Sequence, residues 1–162
     1  METCIKTGEE AIKLAARLIR QGETVAFPTE TVYGLGADVF QPEAIKKIYI
    51  AKGRPSDNPL IAHVSSYKML ERVAVNVSED AKKLMQAFWP GPLTVILQKR
   101  ENVPDAVCAG LPTIAVRMPQ NEIALRIIEE ADTPIAAPSA NSSGKPSPTS
   151  AGHVFHDMNG KI

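Results

Sequence analysis

Three irregular segments gather residue types that structure alone does not call for. The first is Phe27-Pro28-Thr29-Glu30-Thr31-Val32-Tyr33-Gly34-Leu35-Gly36. Hydroxyls, one carboxylate and two glycines directly after an apolar strand suit a small-molecule site, because ligands of open α/β sheets collect beyond strand ends. The alternative is a tight turn whose glycines serve backbone geometry. The second runs Lys52-Gly53-Arg54-Pro55-Ser56-Asp57-Asn58-Pro59-Leu60. With Lys46 and Lys47 it places four cations within residues 46–54, before the first acid, Asp57. Lys52 and Arg54 straddle a glycine and can clamp a polyphosphate, Arg54 through its fork and Lys52 as a point charge. Cations at a helix C-terminus also complement the dipole there, which is the plainer reading. The third, Ala137-Pro138-Ser139-Ala140-Asn141-Ser142-Ser143-Gly144-Lys145-Pro146-Ser147, runs from a strand into hydroxyls, an amide, a glycine and a lysine. Such loops bind phosphate or ribose through backbone N–H groups and hydroxyls. It is not a P-loop, since Pro146 and Ser139 stand where that pattern needs a hydroxyl residue and a glycine.

Single residues add less. His63 lies inside an apolar strand, where a satisfied core histidine is the commoner finding. His153 and His156 share helical spacing but lack a third metal ligand, and no G-x-S-x-G elbow occurs. Arg117 ends a strand and must face a cleft or pair with a carboxylate, because burying it unpaired is costly.

The elements that position these residues follow from periodicity and punctuation. Thr7 and Glu10 have capping-box spacing ahead of Ile12, Ala15, Ala16 and Ile19, which recur at helical spacing up to Gly22. A short strand over 24–27 precedes a stretch, Thr29 to Asp38, that reads as a loop. Pro42 opens a helix over 43–51 that Gly53 stops. Strands are expected at 60–64, 93–97, 113–116 and 134–137, and helices near 67–73, 79–88 and 122–130. Strands interleaved with helices make an α/β domain with a mixed sheet.

Bulk properties set the limits. The 162 residues suffice for one domain with its own core. Lysine plus arginine and aspartate plus glutamate number 18 each, so net charge does not argue for a nucleic-acid partner. Cys4 and Cys108 form no metal or disulfide pattern and fit a reducing cytoplasm. No apolar run reaches the ~20 residues of a membrane span.

Taken together, the segments resemble the YrdC family, the L-threonylcarbamoyladenylate synthases. The resemblance rests on Pro-Thr-Glu-Thr-x-Tyr-Gly-Leu at 28–35, Lys-x-Arg-x-x-x-Asn-Pro-Leu at 52–60 and Trp-Pro-Gly-Pro-Leu-Thr at 89–94. Val-Arg-Met-Pro at 116–119 and Pro-Ser-Ala-Asn-x-Ser-Gly at 138–144 complete it. It implies a single YrdC-like domain over 1–162, with a twisted mixed sheet flanked by helices and a concave ligand-binding face. It also implies that the family's usual C-terminal strand and segment are missing. In the family, threonine, bicarbonate and ATP give threonylcarbamoyladenylate and pyrophosphate, for threonylcarbamoyl-adenosine modification of tRNA. Carried over, Thr31, His63, Arg117 and Ala137 become threonine contacts. Lys52, Arg54, Asn58, Thr113, Ser139, Asn141 and Ser147 become ATP contacts, with Lys52 and Arg54 stabilising charge in place of a covalent nucleophile. Mg²⁺ is implied with ATP, bound mainly by phosphate and water, with no organic cofactor. The implied partners are the downstream tRNA threonylcarbamoyl-transfer machinery and no membrane. The rival readings are an RNA-binding module without turnover and a carbamoyladenylate-forming domain of hydrogenase-maturation type.

Overall fold

The computed structural model describes residues 2–162. Helix α1 spans Glu9–Arg20 and buries Ile12, Ala15, Ala16 and Ile19, the apolar stripe its spacing demands. Its start departs from expectation. The N-cap is Gly8, at φ 81°, with no side-chain cap, and Glu10 turns to Lys13 at 3.4 Å instead of closing a box on Thr7. Glu9 in the first turn pairs with Arg126 at 2.5 Å.

The chain continues through β1 (Val25–Phe27), β2 (Gly34–Asp38), α2 (Pro42–Lys52), β3 (Ile61–His63), α3 (Tyr67–Leu70) and β4 (Ala74–Val75). It then forms α4 (Glu79–Phe88), β5 (Val95–Lys99), α5 (Asp105–Cys108), β6 (Thr113–Arg117), α6 (Glu122–Ala131), β7 (Ile135–Ala137) and α7 (Ala151–Met158). Helix α2 begins on Pro42 and ends at Gly53, whose φ of 60° is the left-handed stop glycine favours. Cys4 is exposed and Cys108 buried, and both are free. No described helix is long and apolar enough to cross a membrane.

Seven strands form one mixed sheet in the order β1-β2-β7-β3-β6-β5-β4. Every neighbouring pair is antiparallel except β3 with β6. Side chains alternate across a sheet. Ile114 and Val116 of β6 therefore turn into the core, both at most 1% exposed, and put Thr113, Ala115 and Arg117 on the other face. Register carries that second face onward. Ile61 and His63 stand opposite Ala115 and Arg117 on one side and opposite Ala137 and Ile135 on the other. Toward β5 this face opens to solvent, where Ile96, opposite Ala115, is 71% exposed.

Residues 34–38 correct the reading of 29–38 as loop, since they form strand β2 between β1 and β7. The glycines there serve packing rather than a turn. A Cβ on Gly36 would sit 2.5 Å from Ile135 Cγ2 and 2.6 Å from Phe27 Cε1, and one on Gly34 would sit 3.4 Å from Phe27 Cζ. Bare backbone lets the Phe27 ring lie over β2 and meet His63 edge-on, with centroids 5.9 Å apart at 84°. Two further differences concern short or shifted elements. The strand expected at 93–97 runs over 95–99, because the Leu93 carbonyl accepts from Trp89 Nε1 at 2.8 Å and belongs to the preceding turn. Helix α7 follows the serine-rich stretch and is capped by Ser150, whose hydroxyl accepts from His153 N at 3.2 Å.

Two glycine substitutions separate packing from propensity. Gly36→Ala forces Phe27 and Ile135 apart and should destabilise by about 1–3 kcal/mol. Gly152→Ala, in α7 with only Ser150 Oγ within 4 Å at 3.8 Å, should stabilise by ~0.5–1 kcal/mol. Urea unfolding of both variants measures the contrast, and a neutral Gly36→Ala would remove the packing role of that glycine.

Candidate functional site

The parallel pairing of β3 with β6 sets His63 beside Arg117 on the open face. His63 is 4% exposed, and its Nδ1 lies 3.0 Å from the Ile61 carbonyl. A carbonyl only accepts, so Nδ1 carries the proton and Nε2 is left as an acceptor. Burial, and then the Arg117 charge, push the His63 pKa down to about 4, against weaker opposition from the Ile61 and Ile135 carbonyls and Glu30. The ring is therefore neutral near pH 7. The core and functional readings of His63 are both met in part: one nitrogen is satisfied by the fold, and the other suits a hydroxyl or amine donor.

Arg117 is 8% exposed and heavily bonded. Its Nε donates to the Gly91 carbonyl at 3.2 Å, and Nη1 and Nη2 each donate to Thr31 Oγ1 at 3.2 Å. Nη2 also donates to Glu30 Oε1, while Glu30 Oε2 accepts from Gln120 N at 2.8 Å. The β1–β2 connection thus reaches across the sheet to the end of β6. A knot at Thr29 shapes it: Oγ1 donates to the Val32 carbonyl at 2.6 Å and accepts from Thr31 N and Val32 N, both at 3.2 Å.

The nearby ends of β7, β3 and β6 carry the other cluster. Thr113 begins β6, so it lies ~13 Å along the strand from Arg117. Ala137 ends β7 opposite Ile61, and Ser139 follows it, bridged to Gly34. Lys52, at the end of α2, is 4% exposed and donates to the carbonyls of Ser139 and of Asn141, the latter at 2.6 Å. Its own carbonyl accepts from Ser143 N at 2.9 Å. Lys52 therefore holds the 138–147 loop as well as standing at a helix end, and one of its three ammonium protons is left over. Burial, then the Arg54 charge, lower its pKa to about 8, with Asp157 acting in the opposite sense.

The remaining candidates divide. Arg54 folds back on its own loop, with Nη2 3.5 Å from the Asn58 carbonyl and 3.3 Å from that of Pro59, and its buried Nε has no partner. Asn141 is 6% exposed, and its Nδ2 donates to the carbonyls of Ser142 at 3.0 Å and Lys145 at 2.7 Å, while Oδ1 is buried without a partner. The Asn58 and Ser147 side chains are exposed and make no hydrogen bond to the other candidates among the described residues. Two cavities of ≈ 440 and ≈ 450 Å³ lie at Phe40, Arg72 and Arg100 and at the β4–β5 edge, apart from all of these residues.

Two contributors were not assigned from sequence. Glu30 was visible as the lone carboxylate of its segment, but its partner lies 87 residues away. Asp157 had no signal. Its carboxylate, 9% exposed, accepts from Ser142 N at 3.1 Å and Lys145 Nζ at 3.3 Å. Bonding to His156, then to Ser142 N, lowers its pKa to about 2.

Residues 17–162 match the Sua5/YciO/YrdC family model, described as "Telomere recombination". The threonylcarbamoyl-AMP synthase of Pyrococcus abyssi is 58% identical over 154 residues, 95% of this chain and 45% of its own. That of Bacillus subtilis is 55% identical over 159 residues, 98% of this chain and 46% of its own. The chain thus spans about half the length of these curated relatives. The crystal structure of P. abyssi Sua5 complexed with L-threonine superposes with a TM-score of 0.94 at 57% identity, over 98% of this chain and 46% of that one. Full-length HypF, at 22% identity and a TM-score of 0.80, shares the fold.

The low pKa of His63 has a consequence for stability. Between pH 6.5 and about 4 the unfolded chain takes up a proton that folded His63 refuses. Its contribution is complete above pH 6.5 and is lost as pH falls through that window. Between pH 7 and 4.5 the wild type should lose roughly 2–3 kcal/mol more than His63→Gln. Urea midpoints at the two pH values test this, and equal losses would mean that His63 titrates normally.

Proposed function

Because the chain belongs to the Sua5/YciO/YrdC family, we propose that its open face condenses L-threonine, bicarbonate and ATP into L-threonylcarbamoyladenylate, releasing pyrophosphate. The observation that carries this reading is the division of one sheet face. A neutral histidine and a carboxylate-paired arginine stand at one end, and a buried lysine and a hydroxyl-rich loop at the other.

In the reaction the threonine amine takes up bicarbonate as a carbamate with loss of water. A carbamate oxygen then attacks the α-phosphorus of ATP, and the bond to pyrophosphate breaks. No enzyme nucleophile enters, so orientation and charge stabilisation supply the rate. Arg117 takes the amino-acid carboxylate, while Thr31 and His63 Nε2 meet its hydroxyl and amine. The backbone of Ala137 lines the space between the two ends. Arg54 and the remaining Lys52 proton face the departing phosphates, and Thr113, Ser139, Asn141, Asn58 and Ser147 border the nucleotide. Mg²⁺ would come with ATP, bound more by phosphate oxygens and water than by protein, and would offset the charge of the triphosphate. The product, made in the cytoplasm, supplies machinery that transfers the threonylcarbamoyl group to adenosine in tRNA.

Incubation with ATP, threonine and labelled bicarbonate tests the reading through pyrophosphate release and a labelled adenylate. Salt-dependent RNA affinity without turnover would instead favour an RNA-binding module. A requirement for carbamoyl phosphate would favour the hydrogenase-maturation chemistry.

Substrate choice follows from a pocket that hydrogen-bonds a hydroxyl. Valine matches threonine in shape but leaves those polar groups unpaired, and such sites discriminate by ~10⁴ or more. Serine lacks only a methyl and should be disfavoured by about 1–3 kcal/mol. Pyrophosphate release should therefore rank threonine, serine, valine. Valine turning over as well as serine would withdraw the roles of Thr31 and His63.

A further inference from the structure

Glu30 uses both carboxylate oxygens on different elements, Oε1 on Arg117 Nη2 and Oε2 on the backbone of Gln120. The pair is largely covered, with side chains 10% and 21% exposed for Arg117 and Glu30. A guanidinium has five N–H groups. The Nε–H is taken by Gly91, Nη2 divides its two between Glu30 and Thr31, and Nη1 contacts Thr31 alone. Both edges on which a carboxylate would dock in a two-pronged manner are thus already occupied, and one Nη1–H remains.

We propose that Glu30 is a positioning residue for substrate recognition: it locks Arg117 so that a single Nη1–H meets the α-carboxylate of the amino acid. This rests on the functional reading above and adds to it the mode of carboxylate binding. Charge supports a carboxylate here over an amide. Glu30 neutralises Arg117, so this end of the face presents no excess charge to an amino acid that is itself a zwitterion. Geometry supports it too. Glu30→Gln keeps the size, but its amide nitrogen would face either Arg117 Nη2–H or Gln120 N–H, donor against donor, and one anchor fails. Gln120 lies beyond β6, after Met118 and Pro119, so through Glu30 the β1–β2 connection is fastened to both Arg117 and the segment behind it.

The test is calorimetric titration of wild type, Glu30→Gln and Glu30→Ala with L-threonine and, separately, with ATP. Circular dichroism checks each fold, and Glu30→Gln carries the test where Glu30→Ala does not fold. In the variants, threonine should bind about ten-fold more weakly, the equivalent of one charge-assisted hydrogen bond, with ATP affinity unchanged. Nitrogen-15 NMR should show faster water exchange of the Arg117 Nη2 protons, the group that Glu30 holds. Unchanged threonine affinity would overturn the proposal. Tighter binding would also overturn it, making Glu30 a competitor for the guanidinium, and equal weakening toward threonine and ATP would reduce Glu30 to a support of the fold. A wild type that binds ATP but no threonine defeats the substrate reading instead. The Nη2 exchange then decides alone whether Glu30 holds Arg117.

Discussion

Burying Arg117 at the end of β6 is the constraint around which the His63 end of this fold is built. An uncompensated guanidinium in that position is among the most destabilising features a core can contain. Its satisfaction draws in three groups from two distant pieces of chain: the Gly91 carbonyl, and the Thr31 hydroxyl and Glu30 carboxylate of the β1–β2 connection. The parallel pairing of β6 with β3 fixes His63 beside the same charge. The depressed pKa of His63 is then a consequence of the fold: a ring buried next to a cation cannot also be a cation.

Lys52 shows the opposite solution to the same problem. It too is buried, yet it is met by backbone carbonyls, which carry partial charge only. The one acid acting on it, Asp157, spends its hydrogen bonds on Ser142, Lys145 and His156. One end of the face is therefore close to neutral and the other keeps positive charge, an arrangement suited to a zwitterion beside a polyphosphate. Backbone bonds tie the two ends together. Tyr33 N donates to Pro148 O at 2.9 Å, Ala140 N to Tyr33 O at 2.8 Å and Leu35 N to Pro138 O at 2.9 Å, joining the loop over Arg117 to the loop held by Lys52. Such ties fix polar groups in advance, the condition in which they act most strongly on a bound charge.

Much of this was legible in the amino-acid sequence, for physical reasons that also explain the gaps. The stripe of Ile12, Ala15, Ala16 and Ile19 is a local periodicity and the short apolar run at 113–116 a local strand signal, and the structure follows both. Pro42 and Gly53 bracket α2 because their backbone preferences are intrinsic. Strand β2 was hidden because Gly34 and Gly36 lower strand propensity, and their reason, the Phe27 ring, lies on another strand. The capping box at Thr7 failed because the helix is capped one residue later, at Gly8, which moves Glu10 out of the position the box needs. Elements as short as β4 and α5 leave no period to read. The need of Arg117 for a carboxylate could be argued from type and position, but the identity of that carboxylate depends on tertiary closure across 87 residues. Asp157 illustrates the limit, since an acid on a surface helix announces nothing until a loop folds onto it.

The account stands on one face having two chemically distinct ends, and backbone amide shifts measured during separate titrations with L-threonine and a non-hydrolysable ATP analogue test it most directly. Threonine is expected to move residues around 30–31, 63 and 117, and the nucleotide those around 52–54, 113 and 139–145, with Ala137 responding to both. Both ligands moving the same end, or either acting at the cavity by Phe40, Arg72 and Arg100, would contradict it.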